Sequence, residues 1–520
     1  MPIRMVDDPN DQYDNSNENT GGGGGRLPGG GGGGGIFSLL PLLFGLFRKS
    51  PLLAIIILAV GGYFYFKGCG GMSSVSSLAT GGVLDPQQFA KAQIYEPGDE
   101  GKNPLPESVS LIKFAPDPGN QGQQGSCVAW SSAYAARTIL ESSSTGQNAN
   151  QLVFSPSFLY NQIGLDGCQG SYIIRAMESM TKVGSVPFAE FPYDENDCST
   201  QPPGSLKREA QQFRMLGFTR LTDGDNVEKL DIYGIKEHLA KDVPVVIGMM
   251  VGGSFMQDMM GQEVWHPSGS DYNMMGFGGH AMCVIGYDDR KEGGAFLIQN
   301  SWGPEWGING RGWVRYSDFK HFVREAYGVN PMPLRGAAAT TQLSCSIGLV
   351  EGKTKQYIPL KLKNGNVFET ASPIKKGTQF KMEVKNNTAC YVYVLGMETD
   401  GSSYVLFPYP SKTDPSRSPF SPYCGITGYR LFPRGMSMMA DSIGNKDYMA
   451  VITTKDSLDV FALNRMVTAN KNLGFAQAIS SALRGQSLRT NFSSGNGTMS
   501  FSTNTQEGQA VVCIAEIDKQ

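Results

Sequence analysis

Hydrophobic and polar residues are distributed unevenly along the first hundred positions, which predicts four successive segments. Residues 1–35 are polar and then glycine-rich. They lack the apolar side chains that would offset the entropy cost of ordering, so we expect a disordered tail. Two apolar stretches follow at 36–47 and 51–66 and define a membrane segment at 36–69. Residues 70–103 contain Ser, Gly and Pro and are expected to form a linker.

The second apolar stretch, 51–66, is predicted to be one transmembrane helix in contact with a lipid bilayer. A helix of this length covers about 24 Å, and flanking lysine and arginine side chains can snorkel to reach the ~30 Å of a hydrocarbon core. Positive charge is greater before the span than after it. This bias predicts a single-pass protein with a cytoplasmic N-terminus and extracytoplasmic domains, periplasmic in a bacterium. A cleaved signal peptide is the alternative, although no clear small-residue cleavage site follows the stretch.

Apolar periodicity in the middle of the chain predicts one helix and two strands that carry polar residues at their ends. Residues 127–140 are Ala-rich and apolar and contain no Gly or Pro, which favours a buried helix that begins near Cys127. His280 begins an alternating, strand-like stretch, and Asn300 follows the apolar strand 296–299.

Composition narrows the class of protein. A chain of 520 residues suggests two or three folded units, and its 40% hydrophobic content excludes disorder throughout. The formal net charge of −3 argues against binding driven by phosphate neutralisation, so no nucleic-acid partner is predicted. Nine cysteines are too few for a small disulfide-stabilised scaffold.

Cys127 is the candidate nucleophile. A thiol at a helix N-terminus is favoured as thiolate by the helix dipole, and the preceding glycines permit a close approach of substrate. Such a nucleophile needs a base, and among the four histidines His280 has the best context, since His238 is expected on the surface of an amphipathic helix at 235–241. Asn300 can orient the imidazole, and Gln121 can join the Cys127 N–H in an oxyanion hole.

These residues resemble the papain family of cysteine peptidases over about 104–335. The order Cys, His, Asn, the Gln-x5-Cys spacing and the block Asn-Ser-Trp-Gly-x-x-Trp-Gly all match. The resemblance implies an α+β, papain-like two-lobed fold with a helical lobe and a β-barrel-like lobe. It also implies that Cys127 is the nucleophile, His280 the acid and base, Asn300 the orienting amide and Gln121 the oxyanion donor, with no cofactor and no metal.

The resemblance also implies a substrate-binding surface and a changed disulfide. The residues expected to bind substrate are Gly170, Ser171, Tyr172, Gly279 and Trp302, the last of which also shields the catalytic hydrogen bond.

The family's usual cysteine three residues before the nucleophile is Gln124 here, so Cys168 loses its usual partner. We expect a Cys168–Cys198 disulfide instead, with two free thiols as the alternative.

After 333 the pattern changes to short strands separated by turns, with one helix at 473–483. We expect an all-β sandwich domain at 336–520, with no catalytic group of its own and with unassigned pairing of its four cysteines. The predicted strands lie at 355–362, 379–384, 391–397, 403–407, 448–454 and 510–517.

The predicted function is a membrane-anchored cysteine endopeptidase that hydrolyses a peptide or protein substrate through an acyl-enzyme. Two alternatives remain open. One is a catalytically idle papain-like scaffold or peptide-binding module, and the other is a transpeptidase that passes the acyl group to an amine.

Overall fold

The computed structural model describes residues 3–7, 78–334 and 341–520. The predicted transmembrane helix at 51–66 and the rest of segment 36–69 lie outside the described residues, as does most of the 1–35 tail. In the part of the chain that is described, no helix is long and apolar enough to cross a bilayer. The prediction of a disordered tail was wrong for Ile3–Asp7, because these residues form a β-strand.

The helices before residue 334 belong to the same region as the sheet described next, and several of them contact its strands. The predicted helix begins at Cys127 as expected and continues to Thr145, with a π-helical central part at Trp130–Arg137. The α-helices of this region are Pro86–Phe89, Cys127–Ala129, Thr138–Thr145, Pro156–Ile163, Ile173–Lys182, Gly204–Glu209, Ile232–Leu239, Gly253–Gln257 and Tyr316–Phe322. Short 3-10 turns lie at Ile112–Phe114, Ala149–Gln151, Asp166–Cys168, Phe188–Glu190, Ala210–Phe213, Asp271–Asn273 and Lys291–Gly293.

A seven-stranded antiparallel sheet supplies the second half of this region. The strand Gly278–Asp288 lies inside this sheet. Its residue His280 is paired with Met249 of the adjacent strand Val245–Val251. The predicted strands at His280 and at 296–299 are therefore confirmed. The order across the sheet is Phe218–Arg220, Val323–Val329, Val245–Val251, Gly278–Asp288, Ala295–Gln299 and Arg311–Arg315, with Ser108–Ser110 also paired to Gly278–Asp288.

Residues 341–520, here called the C-terminal β region, consist mainly of two sheets whose buried side chains form one shared cluster. The first sheet contains Gln342–Glu351, Tyr357–Ile358, Gln379–Asn386, Gly428–Phe432, Met436–Ala440, Phe492–Gly495 and Thr498–Asn504. The second contains Leu360–Asn364, Val367–Thr370, Cys390–Met397, Ser403–Phe407, Tyr423–Cys424, Lys446–Thr454 and Ala510–Asp518. Two helices, Val460–Ala469 and Phe475–Ala482, cover the second sheet.

Most predicted strands of the C-terminal β region are observed, with ends that differ by at most two residues. The stretch 355–362 differs more, because it is divided between Tyr357–Ile358 and the start of Leu360–Asn364. Helix Val460–Ala469 was not predicted. The boundary predicted between 335 and 336 falls in 335–340, which lie outside the described residues.

Ile3–Asp7 extends the first sheet of the C-terminal β region by pairing antiparallel with Met436–Ala440. Ile3 is buried, and its backbone N–H donates to the hydroxyl of Tyr404 at 3.2 Å. The beginning of the chain and the C-terminal β region therefore belong to one folded unit, which also contains the whole of 79–520.

The predicted disulfide between Cys168 and Cys198 is present. It fastens an irregular segment after Tyr193 to the loop that precedes helix Ile173–Lys182. The remaining described cysteines are free and buried, among them Cys345 and Cys390, whose sulfurs lie 3.9 Å apart.

We expect the double substitution Cys168→Ser, Cys198→Ser to lower the free energy of unfolding by roughly 3–4 kcal/mol, because the crosslink closes a 30-residue separation in the unfolded chain. Urea unfolding of the two proteins measures the difference. Reduced wild-type protein is the control and should lose the same amount. An unchanged unfolding free energy would contradict a stabilising role.

Candidate active site

Cys127 lies at the first turn of a helix whose N-terminus packs against the strand Gly278–Asp288. The residue is fully buried. Its Sγ accepts a hydrogen bond from the backbone N–H of Ala281 at 3.4 Å, and Ala281 directly follows His280 on that strand. Helix and strand thus bring the thiol to the backbone N–H of the residue that follows His280, although Cys127 and His280 are distant in sequence.

Asn300 holds the imidazole of His280 and defines its tautomer. Asn300 Oδ1 lies 2.8 Å from His280 Nε2 and also accepts the backbone N–H of Ser301 at 2.8 Å. A backbone N–H can only donate, so the shared atom must be the amide oxygen, and His280 Nε2 must carry a hydrogen. His280 Nδ1 is then left with a lone pair that can accept a proton from a thiol.

The sulfur and the imidazole do not form a hydrogen bond in this conformation. Within the described residues, His280 Nδ1 is buried without a hydrogen-bond partner. Trp302 stacks on the ring at a centroid distance of 4.3 Å and an interplanar angle of 23°. The indole thus covers one face of the imidazole ring, and its role as a shield of the His280–Asn300 hydrogen bond stays a prediction.

Burial determines the charge state of both groups here. It raises the pKa of the Cys127 thiol to about 12, although backbone N–H groups of Ala281, Val128, Cys127 and Gly82 act in the opposite direction. It lowers the pKa of His280 to about 4, although the hydrogen bond that His280 Nε2 donates to Asn300 opposes this. Thiol and imidazole are therefore both neutral near pH 7 in this conformation.

Gln121 lies beside the nucleophile and is itself fully buried. Its Nε2 donates to the backbone carbonyl of Gln124 at 2.9 Å, and its Oε1 accepts from the Ser301 hydroxyl at 2.7 Å. The side-chain amide is thus oriented by two partners. Because an NH2 group has two hydrogens, one remains for a developing oxyanion.

Tyr193 is a positioning residue that the sequence did not reveal. Its hydroxyl oxygen lies 2.8 Å from the carbonyl oxygen of Gln121, 2.7 Å from Ser126 Oγ and 3.2 Å from Gln124 Oε1. These three residues belong to the loop that ends at Cys127. One phenol therefore connects the oxyanion donor to the start of the nucleophile's helix.

Gln124, which replaces the expected cysteine, now anchors the same loop by hydrogen bonds. Its Nε2 lies 3.3 Å from each of three carbonyl oxygens, those of Asp194, Glu195 and Asp197. These residues directly precede Cys198. The Cys168–Cys198 disulfide therefore holds the segment to which Gln124 is bound, which explains how the loop is fixed without the usual crosslink.

Four of the five residues predicted to bind substrate lie against residues 79–84 of the same chain, here called the strap. The strap is hydrogen-bonded to Ser171, Gly279 and Trp302. Gly170 also faces it, because a Cβ on Gly170 would lie 2.2 Å from the Gly81 oxygen. Tyr172 instead precedes helix Ile173–Lys182 and stacks under Arg175.

The prediction that His238 is a surface residue was wrong. Its ring is buried, and its Nδ1 lies 2.7 Å from the carbonyl oxygen of Gly234. The ring also meets that of Tyr95 edge-on. Tyr95 comes from the segment expected to be a loose linker, so the pattern of helix Ile232–Leu239 alone could not show that this face is covered. His266 and His321 are exposed and lie outside the site.

A buried thiol at a helix N-terminus, beside an amide-held imidazole and an amide donor, is the arrangement of a cysteine-nucleophile site. Comparison with known proteins agrees with this class. Residues 113–332 match the family model "Papain family cysteine protease". Residues 113–332, which are similar to papain-family cysteine peptidases, are called the peptidase domain below.

Individual relatives show the same similarity at low identity. An uncharacterized peptidase C1-like protein of Acanthamoeba polyphaga mimivirus is 28% identical over 219 residues, which is 40% of this chain and 64% of that protein. Cathepsin K of Mus musculus is 27% identical over 236 residues, 44% of this chain and 66% of that protein. The match thus spans slightly under two thirds of the length of these curated relatives.

Among solved structures, xylellain, a cysteine protease from Xylella fastidiosa, is similar with 21% identity and a TM-score of 0.40. The match covers 50% of this chain and 99% of that chain.

We expect Tyr193→Phe to lower kcat of peptide hydrolysis about tenfold, because the loop between Gln121 and Cys127 loses its common hydrogen-bond partner. Steady-state kinetics on a fluorogenic peptide measures this. Tyr134→Phe is the matched control, since both rings contact Trp130 but the Tyr134 hydroxyl donates only to Asp117 O. Equal kcat values in both variants would contradict the positioning role.

Proposed function

We propose that residues 113–332 hydrolyse peptide bonds with Cys127 as the nucleophile. The observation that carries this proposal is the placement of Cys127 Sγ against Ala281 N–H, next to an imidazole whose Nε2 is held by Asn300. The family match and the cathepsin similarity support the same chemistry. The substrate class is a peptide or protein.

The reaction begins when the Cys127 proton moves to His280 Nδ1 and the thiolate attacks the scissile carbonyl carbon. The oxyanion that forms accepts hydrogen bonds from Gln121 Nε2 and from the Cys127 N–H. The imidazolium gives its proton to the departing amine as the C–N bond breaks, which leaves a thioester on Cys127. Water, deprotonated by His280, then releases the acid product.

Asn300 acts through orientation in both halves of this cycle. Its Oδ1 keeps the hydrogen on His280 Nε2, so that Nδ1 is the atom that takes up and gives back the proton. The polar groups that the reaction needs are all present, so nothing favours the idle-scaffold alternative over catalysis. Transfer of the acyl group to an amine would use the same first half-reaction.

We also propose that the apolar stretches 36–47 and 51–66 attach the protein to a membrane. A single pass would separate Ile3–Asp7 from Met436–Ala440 on opposite sides, whereas these strands pair with each other. This pairing supports an attachment in which both flanks of the apolar stretches lie on the same side. The Cys168–Cys198 disulfide supports an oxidising, extracytoplasmic compartment for that side.

We expect Cys127→Ala to reduce kcat/KM for a peptide at least ~1,000-fold without a loss of folded protein, because no other group can form the thioester. Peptide hydrolysis and near-UV circular dichroism measure the two effects. Cys283→Ala is the matched control, since it removes another fully buried thiol, from the strand against which the Cys127 helix packs. Wild-type turnover in the Cys127 variant would refute the assignment.

Deletion of residues 36–66 should move the protein from the membrane fraction to the supernatant after a carbonate wash, because the apolar stretches are then missing. Immunoblots of both fractions measure the distribution. In the full chain, an impermeant reagent should reach tags placed before residue 3 and after residue 520 from the same side. Tags that react from opposite sides would contradict the proposed attachment.

A further inference from the structure

One lysine and two aspartates of the C-terminal β region lie in contact with one another away from solvent. They are Lys519, Asp441 and Asp447, here called the lysine triad. Lys519 Nζ lies 2.7 Å from Asp441 Oδ1 and 2.6 Å from Asp447 Oδ1. The side chains of Lys519 and Asp447 are 0% exposed, and that of Asp441 is 4% exposed. Ionisable groups are rarely buried to this extent, so the lysine triad requires an explanation.

The alternation of side chains along two strands turns Lys519 and Asp447 towards the core. Asp447 lies on the strand Lys446–Thr454, two residues before Met449, which belongs to the cluster shared by the two sheets. Lys519 lies two residues after Ile517, which belongs to the same cluster. Residues two apart on a strand point to the same face, so both ionisable groups take positions that usually hold apolar side chains.

Asp441 joins the lysine triad from the other sheet. It follows the strand Met436–Ala440, which belongs to the first sheet of the C-terminal β region, whereas Asp447 belongs to the second. Lys519 follows the strand Ala510–Asp518 of the second sheet and is 78 residues away from Asp441. The contact between Lys519 and Asp441 therefore connects the two sheets.

The lysine triad is incompletely satisfied as a cluster of ions. Against the residues that the structure describes, Asp441 Oδ2 and Asp447 Oδ2 are buried and have no hydrogen-bond partner. A buried ion pair is stabilising only if the remaining lone pairs are also satisfied, because desolvation of each charge is costly. Loss of Asp441 Oδ2 would remove one unpaired atom and one pair of buried charges together.

We propose that Lys519 and Asp441 form an isopeptide bond, an amide between their side chains, and that Asp447 catalyses its formation. The reaction is a condensation that releases one water molecule and needs no oxidant, reductant or co-reactant. The proposal concerns the C-terminal β region alone and does not rest on the proposed peptidase function.

The electrostatics of the lysine triad favour transfer of a proton from lysine to aspartate. Burial alone would lower the pKa of Lys519, but its hydrogen bonds to Asp441 and Asp447 outweigh burial and the net shift is upward. Burial raises the pKa of Asp447 to about 6, although Lys519 opposes this. Asp447 is therefore a stronger base than an ordinary aspartate, and it is in contact with the ammonium whose proton it must take.

The first proton prepares both reacting groups. Asp447 takes it from Lys519 Nζ and passes it to Asp441 Oδ2, which leaves a neutral amine beside a neutral carboxyl group. The amine then attacks Asp441 Cγ. This carbon is bonded to Oδ1 and therefore lies within about 4 Å of the nitrogen.

The backbone of the following turn stabilises the intermediate of this attack. Ile443 N–H donates to Asp441 Oδ1 at 2.9 Å, so a hydrogen-bond donor already points at the oxygen on which negative charge develops. Asp447 carries a second hydrogen from Nζ to Oδ2, and the bond from Cγ to Oδ2 breaks as water leaves. The nitrogen keeps its third hydrogen as the amide N–H, and Asp447 returns to its starting state.

The experiment is cyanogen bromide cleavage of the full chain, purified in its folded form and then reduced and denatured, followed by mass spectrometry. Cleavage after methionine releases both aspartates in the fragment 440–449 and Lys519 in the fragment that begins at residue 500. Wild-type protein should give these two fragments joined, at their combined mass less one water, about 18 Da. Separate fragments of full mass would show a permanent ion cluster and overturn the proposal.

Fragmentation of the joined peptide tests which aspartate accepts the lysine. The branch should lie on Asp441, because its Oδ1 is the oxygen bound by the Ile443 N–H. A branch on Asp447 would overturn the roles assigned to the two carboxyl groups.

Two variants test the chemistry, with near-UV circular dichroism as the measure of folding. Lys519→Arg keeps the positive charge but has no amine, and Asp447→Asn keeps the size but cannot carry the proton, so each should give separate fragments. Lys446→Arg is the matched control, since Lys446 also contacts two carboxylates, those of Glu516 and Asp518 at 3.3 and 3.2 Å, but is 41% exposed. It should give joined fragments. Joined fragments in the Asp447 variant would contradict the catalytic role of this residue.

Discussion

The contact between the N-terminus of the Cys127 helix and the strand Gly278–Asp288 is the constraint on which the site depends. It is made between segments that are distant in sequence, and it places the sulfur on the N–H of Ala281. The neighbouring strand Ala295–Gln299 is followed by Asn300, whose amide oxygen accepts the hydrogen of His280 Nε2. A shift between helix and strand would separate the sulfur from the imidazole and the amide, because these two groups belong to neighbouring strands of one sheet.

The loop before Cys127 contains Gln121 and is held in place by side-chain hydrogen bonds. Tyr193 binds three residues of that loop, and Gln124 binds the carbonyl groups of the segment that ends at Cys198. The disulfide to Cys168 fixes this segment in turn. The Cys168–Cys198 disulfide does not reach this loop directly. It supports the loop through the hydroxyl of Tyr193 and the side-chain amide of Gln124.

The strap affects the protonation of Cys127 and His280 at neutral pH. Burial beneath it keeps the thiol and the imidazole neutral, whereas an open cleft would admit water and favour the charged pair. The segment that follows the strap is bonded on one side to the peptidase domain and on the other to the C-terminal β region. This segment is therefore a physical connection between the interface of these two parts and the active site.

The catalytic groups were predictable from sequence because their chemistry requires particular residue types in short motifs. Cys127 at a helix start, His280 in a strand and Asn300 after a strand each have a local pattern, and the structure brings them together. Their partners Tyr193 and Ser301 were not identified, since a single tyrosine or serine in a loop has no such pattern. His238, the strap and the strand Ile3–Asp7 depend on contacts between distant segments, which no local periodicity records.

Intact-protein mass spectrometry of a quenched reaction tests the central claim most directly. A peptide ester is mixed with the protein and the mixture is acidified within milliseconds. The account predicts an acyl adduct that maps to Cys127 and is absent when His280 is replaced by Ala. Cleavage of the ester with no adduct on Cys127, or with an adduct on another residue, would contradict it.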